Sequence, residues 1–296
     1  MSETVGSGPD SSLIPLLEFD PDPVAMIEPS NHFGFDQRER PEMPEAAVAC
    51  FFGDAVERIA AETAAETVVH IVAEHGRTPV YVTRHPATGA SFAFYQAGLG
   101  APLAAGLLEE VIDYGCRTIV ACGGCGALDP GLALGHVVVV AEALRDEGTS
   151  FHYLPPSRTV RADPDVVRVL SKTLERRHVP HTTGMTWTTD AYYRETRGKV
   201  ARRREEGCIT VEMEASALLA VAAFRRIRLG QVLYAGDTLA GEVWDHRDWV
   251  KAHDVREQVF WLAAEAAVEL AALGGSTRIE VEPTGLPRLV GVIVGS

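Results

Sequence analysis

Short apolar runs along this chain alternate with stretches in which apolar residues recur at helical spacing. The run AVACFFGD reads as a short buried strand ending at Gly53, and DAVERIAAETA as the helix after it. TVVHIVAE, TPVYVTR and SFAFYQAGLG are β-branched or aromatic runs bounded by turn signals, and each predicts a strand. PLAAGLLEEVIDYGC has helical spacing, with Gly115 placed to close it. RTIVAC predicts a buried strand. The following CGGCGALDPG reads as a loop, because Gly126, Pro130, Gly131 and Gly135 follow its second cysteine. HVVVVAEALR predicts another strand, and DPDVVRVLSKTLERRHV an amphipathic helix with Asp163 as N-cap and Pro164 at its first position. HTTGMTWTTD is strand-like, CITVEMEASALLAVAAFRR passes from strand to helix at Glu212-Met213-Glu214, and GQVLYAGD is a further strand. A long helix is expected from about His246 to Leu273.

Strands that alternate with helices predict the α/β class, with a largely buried central sheet. Turn signals never cluster into an interdomain linker, so one domain is expected. Residues 1–46, rich in Pro, Asp, Glu and Ser, read as an N-terminal arm; residues 47–274 form the body; residues 275–296 form a small strand-bearing appendage.

Composition narrows the function. Of 296 residues, 46% are hydrophobic, enough for a sizeable core, and the formal net charge is -14. That balance argues against a nucleic-acid partner or an anionic membrane surface, both of which need clustered cations. No apolar run approaches the roughly 20 residues that span a bilayer, and the N-terminus lacks the basic and apolar regions of a secretory signal. Five cysteines make an odd number in a long chain, which points to reduced thiols and a cytoplasmic protein.

Cys122 and Cys125 form a CxxC, but no second ligand pair completes a zinc site, and no helix start follows to activate a thiol. They read as small buried residues, and no metal is expected. GCGALD and GLGAPL offer only the first half of a dinucleotide-loop pattern. Glu212 and Glu214 carry more information, since two carboxylates beside an apolar helix are costly unless they bind something. Either they decorate a helix N-terminus, which the macrodipole favours, or one grasps a diol such as the ribose hydroxyls. Asp237 ends an apolar strand before a glycine-containing loop, where ligands gather in open α/β sheets. It reads as either an Asx-turn residue or a general acid.

In order, FFGDAVERI, GLGAP, GGCGAL, GHVVVVAEALRDEGTSFHY, TWTTDAYY, VEMEASAL and YAGD resemble the nucleoside phosphorylase/nucleosidase superfamily of the uridine- and purine-nucleoside phosphorylase type. The match runs from about Ala47 to Leu273. The resemblance implies a single α/β domain with a mixed sheet, in a homo-oligomer (dimer, trimer or hexamer) whose active sites lie near subunit contacts. It implies cleavage of an N-glycosidic bond through an oxocarbenium-like transition state. No cofactor is implied beyond inorganic phosphate as co-substrate. On that carry-over Glu214 binds the 2′- and 3′-hydroxyls, with Glu212 beside it and Met213 against the sugar. Tyr192 or Tyr193 stacks on the base, Arg197 lies near it, Asp237 protonates it, and His32 reaches a neighbour's 5′-hydroxyl.

Where such phosphorylases carry a phosphate-binding arginine and a Ser or Thr, this chain has Ala121 and Gly124. Backbone at Gly53, Gly123 and Gly124, with Arg58, is then expected to hold phosphate; alternatively Glu57 activates a water, as in the hydrolytic branch. Asp237 points to a purine or purine-like nucleoside. Phosphorolysis is the leading expectation, with hydrolysis and non-catalytic nucleoside binding as alternatives.

Overall fold

The structure, a computed structural model, describes residues 14–32, 41–274, 280–281 and 287–288. In the arm a 3-10 turn (Pro15–Leu17) precedes helix α1 (Pro29–His32), and Glu28 ties the arm to the body through Arg225 at 3.4 Å. The side chain of His32 lies outside the described residues. The body then runs β1 (Ala46–Cys50), α2 (Gly53–Glu62), β2 (Glu66–Ala73), β3 (Gly76–Arg84), β4 (Ser91–Gln96), α3 (Ala101–Asp113) and β5 (Thr118–Ala127). It continues with β6 (Val137–Asp146), β7 (Thr159–Arg161), α4 (Pro164–Arg176), β8 (His181–Thr189), α5 (Arg197–Glu205) and β9 (Cys208–Glu212). α6 (Ala215–Arg225), β10 (Arg228–Thr238) and α7 (His253–Ala272) complete it. Of the expected appendage, β11 (Glu280–Val281) and β12 (Pro287–Arg288) pair antiparallel, and the rest lies outside the described residues.

Among the described residues ten strands form one mixed sheet. β1 lies between β4 and β5, parallel to both, and β5 runs parallel to β10. β10 also pairs β6, which leads through β8 and β9 back to the end of β5, so these five strands close into a ring. Both faces of the sheet are covered, as near-continuous apolar strands require. Side chains alternate: Ala47 and Ala49 face α3 and α6, while Val48 and Cys50 face α2, α4 and α7.

Several local expectations hold for the stated reasons. Asp163 caps α4 by accepting from the Asp165 N–H at 2.8 Å, with Pro164 first in the helix. Gly115 lies just past the end of α3 with φ 120°, a conformation glycine adopts without a Cβ penalty.

Two expectations are corrected. The CGGCGA segment is no loop: β5 runs through it to Ala127. Its glycines serve close packing, since a Cβ at Gly126 would lie 2.7 Å from Leu239 and 3.0 Å from Val211. The last helix begins at His253 rather than near His246. Arg247 and Asp248 take positive φ, and Thr238 pairs with Asp245, so residues 239–252 form an arch before α7. All five cysteines are free and buried, and burial drives the Cys122 and Cys125 thiols well above the ordinary range. Inert small core residues is the correct reading of the CxxC.

Candidate active site

The carboxyl ends of β1, β4, β5 and β10 share one edge of the sheet, and the Gly126↔Val211 pairing brings the end of β9 alongside them. Glu214, Asp237 and Gly124 all lie at that edge, in the position the fold reserves for ligands.

Glu212 and Glu214 have different jobs. Glu212 ends β9 and is buried. Its Oε2 accepts from the N–H groups of Glu214 (2.7 Å) and Ala215 (2.6 Å), and its Oε1 accepts from the Thr188 hydroxyl (2.6 Å). It caps α6, so the helix-terminus reading applies to this residue. Both oxygens of Glu212, expected beside the ribose, are thus engaged inside the chain, where they support the start of α6. Behind it, Ser216 joins Thr188 (3.0 Å) to Glu147 (2.8 Å). Glu214 is anchored chiefly through Oε1, by the Gly100 N–H at 2.6 Å in the turn before α3. Burial pushes the Glu214 carboxyl up to about 8, with the Glu212 charge adding to it. For Glu212 burial is opposed by its three donors, which favour the ionised form. Burial nonetheless prevails at Glu212 too and raises its carboxyl to about 7. Met213, half-buried, lies between them in sequence.

Asp237 is half-buried at the end of β10, and the Trp244 indole N–H of the arch donates to its Oδ2. Oδ1 faces Gly126, where a Cβ would sit 3.5 Å away. Tyr192 and Tyr193 follow β8 in a 3-10 turn, ring centroids 4.2 Å apart, with Tyr193 87% exposed and free to meet a ligand. Glu195, two residues on, is pushed up to about 7 by burial and by the Asp237 carboxylate, with Lys199 pulling it back. α5 is fastened behind them by Asp146, which accepts from Trp187 (3.0 Å), Arg203 (3.0 Å) and Lys199 (3.3 Å). Arg197 is exposed at the first position of α5. Sequence reasoning missed Trp244 and Glu195. Neither has a local signal, because the Thr238–Asp245 pairing brings Trp244 to Asp237 and a chain reversal brings Glu195 there.

The residues expected to hold phosphate are only partly together. Gly53 opens α2, as an anion site at a helix start needs. Gly124 is exposed, but Gly123 is buried, and Phe51 lies 3.1 Å from where its Cβ would be. Strand alternation explains the difference, since neighbouring residues of β5 face opposite sides. Arg58, expected at the phosphate, pairs with Glu257 of α7 at 3.3 Å. Starting the helix at Gly53 places Arg58 four residues after Asp54, on the face packed against α7. Glu57 is exposed one position away. Ala121 is wholly buried between Ala49 and Gln231 in register. Among the described residues no group of three His, Cys, Asp or Glu side chains is placed to hold a metal, and no helix is long and apolar enough to cross a membrane.

A mixed sheet closed at one end, with an acidic pair where β9 meets α6 and an acid at the end of β10, defines a class, and the sequence profile of the phosphorylase superfamily matches residues 45–273. The chain belongs to that superfamily. Among characterised relatives it is similar to a guanosine phosphorylase of Halorubrum lacusprofundi, 30% identical over 154 residues, covering 52% of this chain and 64% of that protein. A uridine phosphorylase of Treponema pallidum is 31% identical over 147 residues, covering 46% of this chain and 57% of that protein. The matched segments thus span less than two thirds of either relative. In fold the chain is similar to a purine nucleoside phosphorylase of Toxoplasma gondii in complex with immucillin-H, with TM-score 0.68 and 20% identity, covering 79% of this chain and 94% of that one.

Proposed function

We propose that this chain cleaves the N-glycosidic bond of a purine or purine-like nucleoside by phosphorolysis, releasing free base and ribose 1-phosphate. The observation that carries the reading is the division of labour between the two glutamates. Glu212 is consumed as a cap, and Glu214 is held chiefly by the Gly100 N–H at the sheet edge that also carries Asp237. A carboxylate on the ribose diol stabilises the flattened, cationic ring more than the resting sugar, which lowers the barrier. Phosphate oxygen bonds to C1′ as the C1′–N9 bond breaks. The electron pair goes to the base, and Asp237 gives its proton to N7. Tyr193 stacks on the base, Met213 packs on the sugar, and Glu195 faces the base edge beside Asp237. The reaction needs no organic cofactor. The names of the relatives, phosphorylases throughout, support phosphate over water as the acceptor. Asp237 supports a purine over a pyrimidine, because a purine offers a basic N7.

A homo-oligomer belongs to the same proposal, motivated by Leu99 and Tyr193, which leave apolar surface exposed at the rim of the cleft. The test is release of free base from adenosine, inosine, guanosine and uridine, with and without phosphate, at a concentration where light scattering gives the copy number. Purine release that depends on phosphate is expected. Cleavage of uridine alone would overturn the base assignment, phosphate-independent release the phosphorolysis, and a monomer with full activity the assembly.

A further inference from the structure

The cleft lacks the expected cation on β5, and the face that would carry it is closed. Ala121 packs in the apolar layer with Ala49 and Tyr95, with no room for a charged side chain. Other arginines of the body are committed elsewhere. Arg145 is buried and donates to Ser150 (2.8 Å), Leu154 (3.2 Å), Pro155 (2.8 Å) and Ser157 (2.6 Å), where it holds the segment after β6. Arg84 donates to the Gly89 carbonyl in the β3–β4 hairpin at 2.9 Å, and Arg58 is held by Glu257.

Arg256 is different. It lies in the first turn of α7 and is 9% exposed. Its Nε donates to the Tyr234 hydroxyl at 3.3 Å, and its Nη1 to Asp54 Oδ1 at 3.1 Å. Its guanidinium lies over the rings of Phe52 (5.6 Å) and Trp249 (5.3 Å), which shield it from water and strengthen its field. Nη2 donates to nothing among the described residues. The Tyr234 hydroxyl lies 3.7 Å from where a Cβ of Gly124 would be, so the bare, exposed Gly124 borders this group directly. Asp54 belongs to the first turn of α2, whose leading N–H groups have no partner within the helix. The Gln96 amide lies against Gly53, its Nε2 2.9 Å from that residue's Cβ place. His253 Nδ1, on Asp54 Oδ2 at 2.9 Å, gives the aspartate a second partner and leaves the outer edge of Arg256 available.

We infer that in this chain the co-substrate oxyanion is held by Arg256, presented on the Tyr234 hydroxyl across Gly124 and completed by the start of α2 and the Gln96 amide, in place of a cation on β5. This rests on the phosphorolytic reading above and adds its anion-binding residues. The cation thus comes from the last helix instead of the central strand. Its partners are a tyrosine of β10 and an aspartate of α2, so the pocket forms only when these elements are packed together.

The test is saturation with inorganic phosphate at saturating purine nucleoside. Arg256→Gln is expected to raise KM for phosphate about 20-fold or more, the loss of one charged hydrogen-bonding group, with KM for nucleoside within about twofold. Arg256→Lys should recover part of that loss, and Tyr234→Phe should raise phosphate KM about threefold by loosening the guanidinium. Phosphate should also raise the Tm of the wild type and of Arg256→Lys, but not of Arg256→Gln. That readout does not require turnover. An unchanged phosphate KM in Arg256→Gln, or equal rises in both KM values without rescue by lysine, overturns the inference. Phosphate-independent cleavage by the wild type overturns phosphorolysis instead, and the Tm arm then still decides whether Arg256 holds an oxyanion.

Discussion

Asp237→Asn is expected to lower kcat for a purine nucleoside by about 10²–10⁴-fold, the usual worth of a positioned general acid, while KM moves little. The Trp244 N–H that now reaches Oδ2 finds an amide oxygen just as acceptable, so the arch over the base keeps its anchor. What disappears is the proton for N7. A purine nucleoside methylated at N7 carries the positive charge already and needs no such proton. Asp237→Asn should therefore cleave it at near wild-type rate. Equal losses on both substrates would mean that Asp237 positions the loop and is no acid.

Glu214→Gln is the second large effect, an expected fall of about 10²–10³-fold in kcat/KM. A carboxylate accepts from both ribose hydroxyls, each charged hydrogen bond being worth about 1.5–3 kcal/mol, whereas an amide accepts through one oxygen only. The same substitution has a signature in stability. Burial and the Glu212 charge hold the folded pKa of Glu214 up to about 8, against an ordinary 4.5. The folded state therefore binds the proton more tightly than the unfolded chain does. This carboxyl's stabilising contribution is complete below about pH 4.5 and is lost as pH rises through about 8. Thermal unfolding followed across that range should show Tm falling with pH in the wild type and a flatter profile in Glu214→Gln. Glu212→Gln should behave oppositely. Its amide would point N–H groups at the donors of Glu214, Ala215 or Thr188, costing about 1–3 kcal/mol of stability at every pH. If Glu212→Gln left stability untouched, its role as the α6 cap would be wrong.

Much of this architecture was legible in the chain. The apolar strands, the amphipathic α4 with its Asp163 cap and the strand-to-helix passage at Glu212–Glu214 follow from periodicity and capping, which are local properties. The glycine-dense segment after Cys122 misled because turn chemistry and close strand packing call for the same residue. Gly126 is a strand residue only because Leu239 and Val211 press on it from other strands. The start of α7 was misplaced because nothing local marks Arg247 and Asp248, which are held at positive φ in the arch around Thr238–Asp245.

The site divides in the same way. The placement of Glu214 and Asp237 is legible because each stands at a change of element, where motif and strand end coincide. The roles of Glu212 and Glu214 could not be separated by sequence, since they differ only in which backbone N–H groups surround each carboxylate. Trp244, Glu195 and Arg256 left no local trace.

The sequence alone therefore determined most of the strands and helices, the family order of motifs, and the absence at Ala121 of the expected cation. Those depend on neighbours a few positions apart. Tertiary structure decided what takes that cation's place. Arg256 lies 135 residues after Ala121, and no periodicity connects them. They are related only because α7 packs across β1, β5 and β10 and sets a guanidinium beside Tyr234 at the end of the sheet.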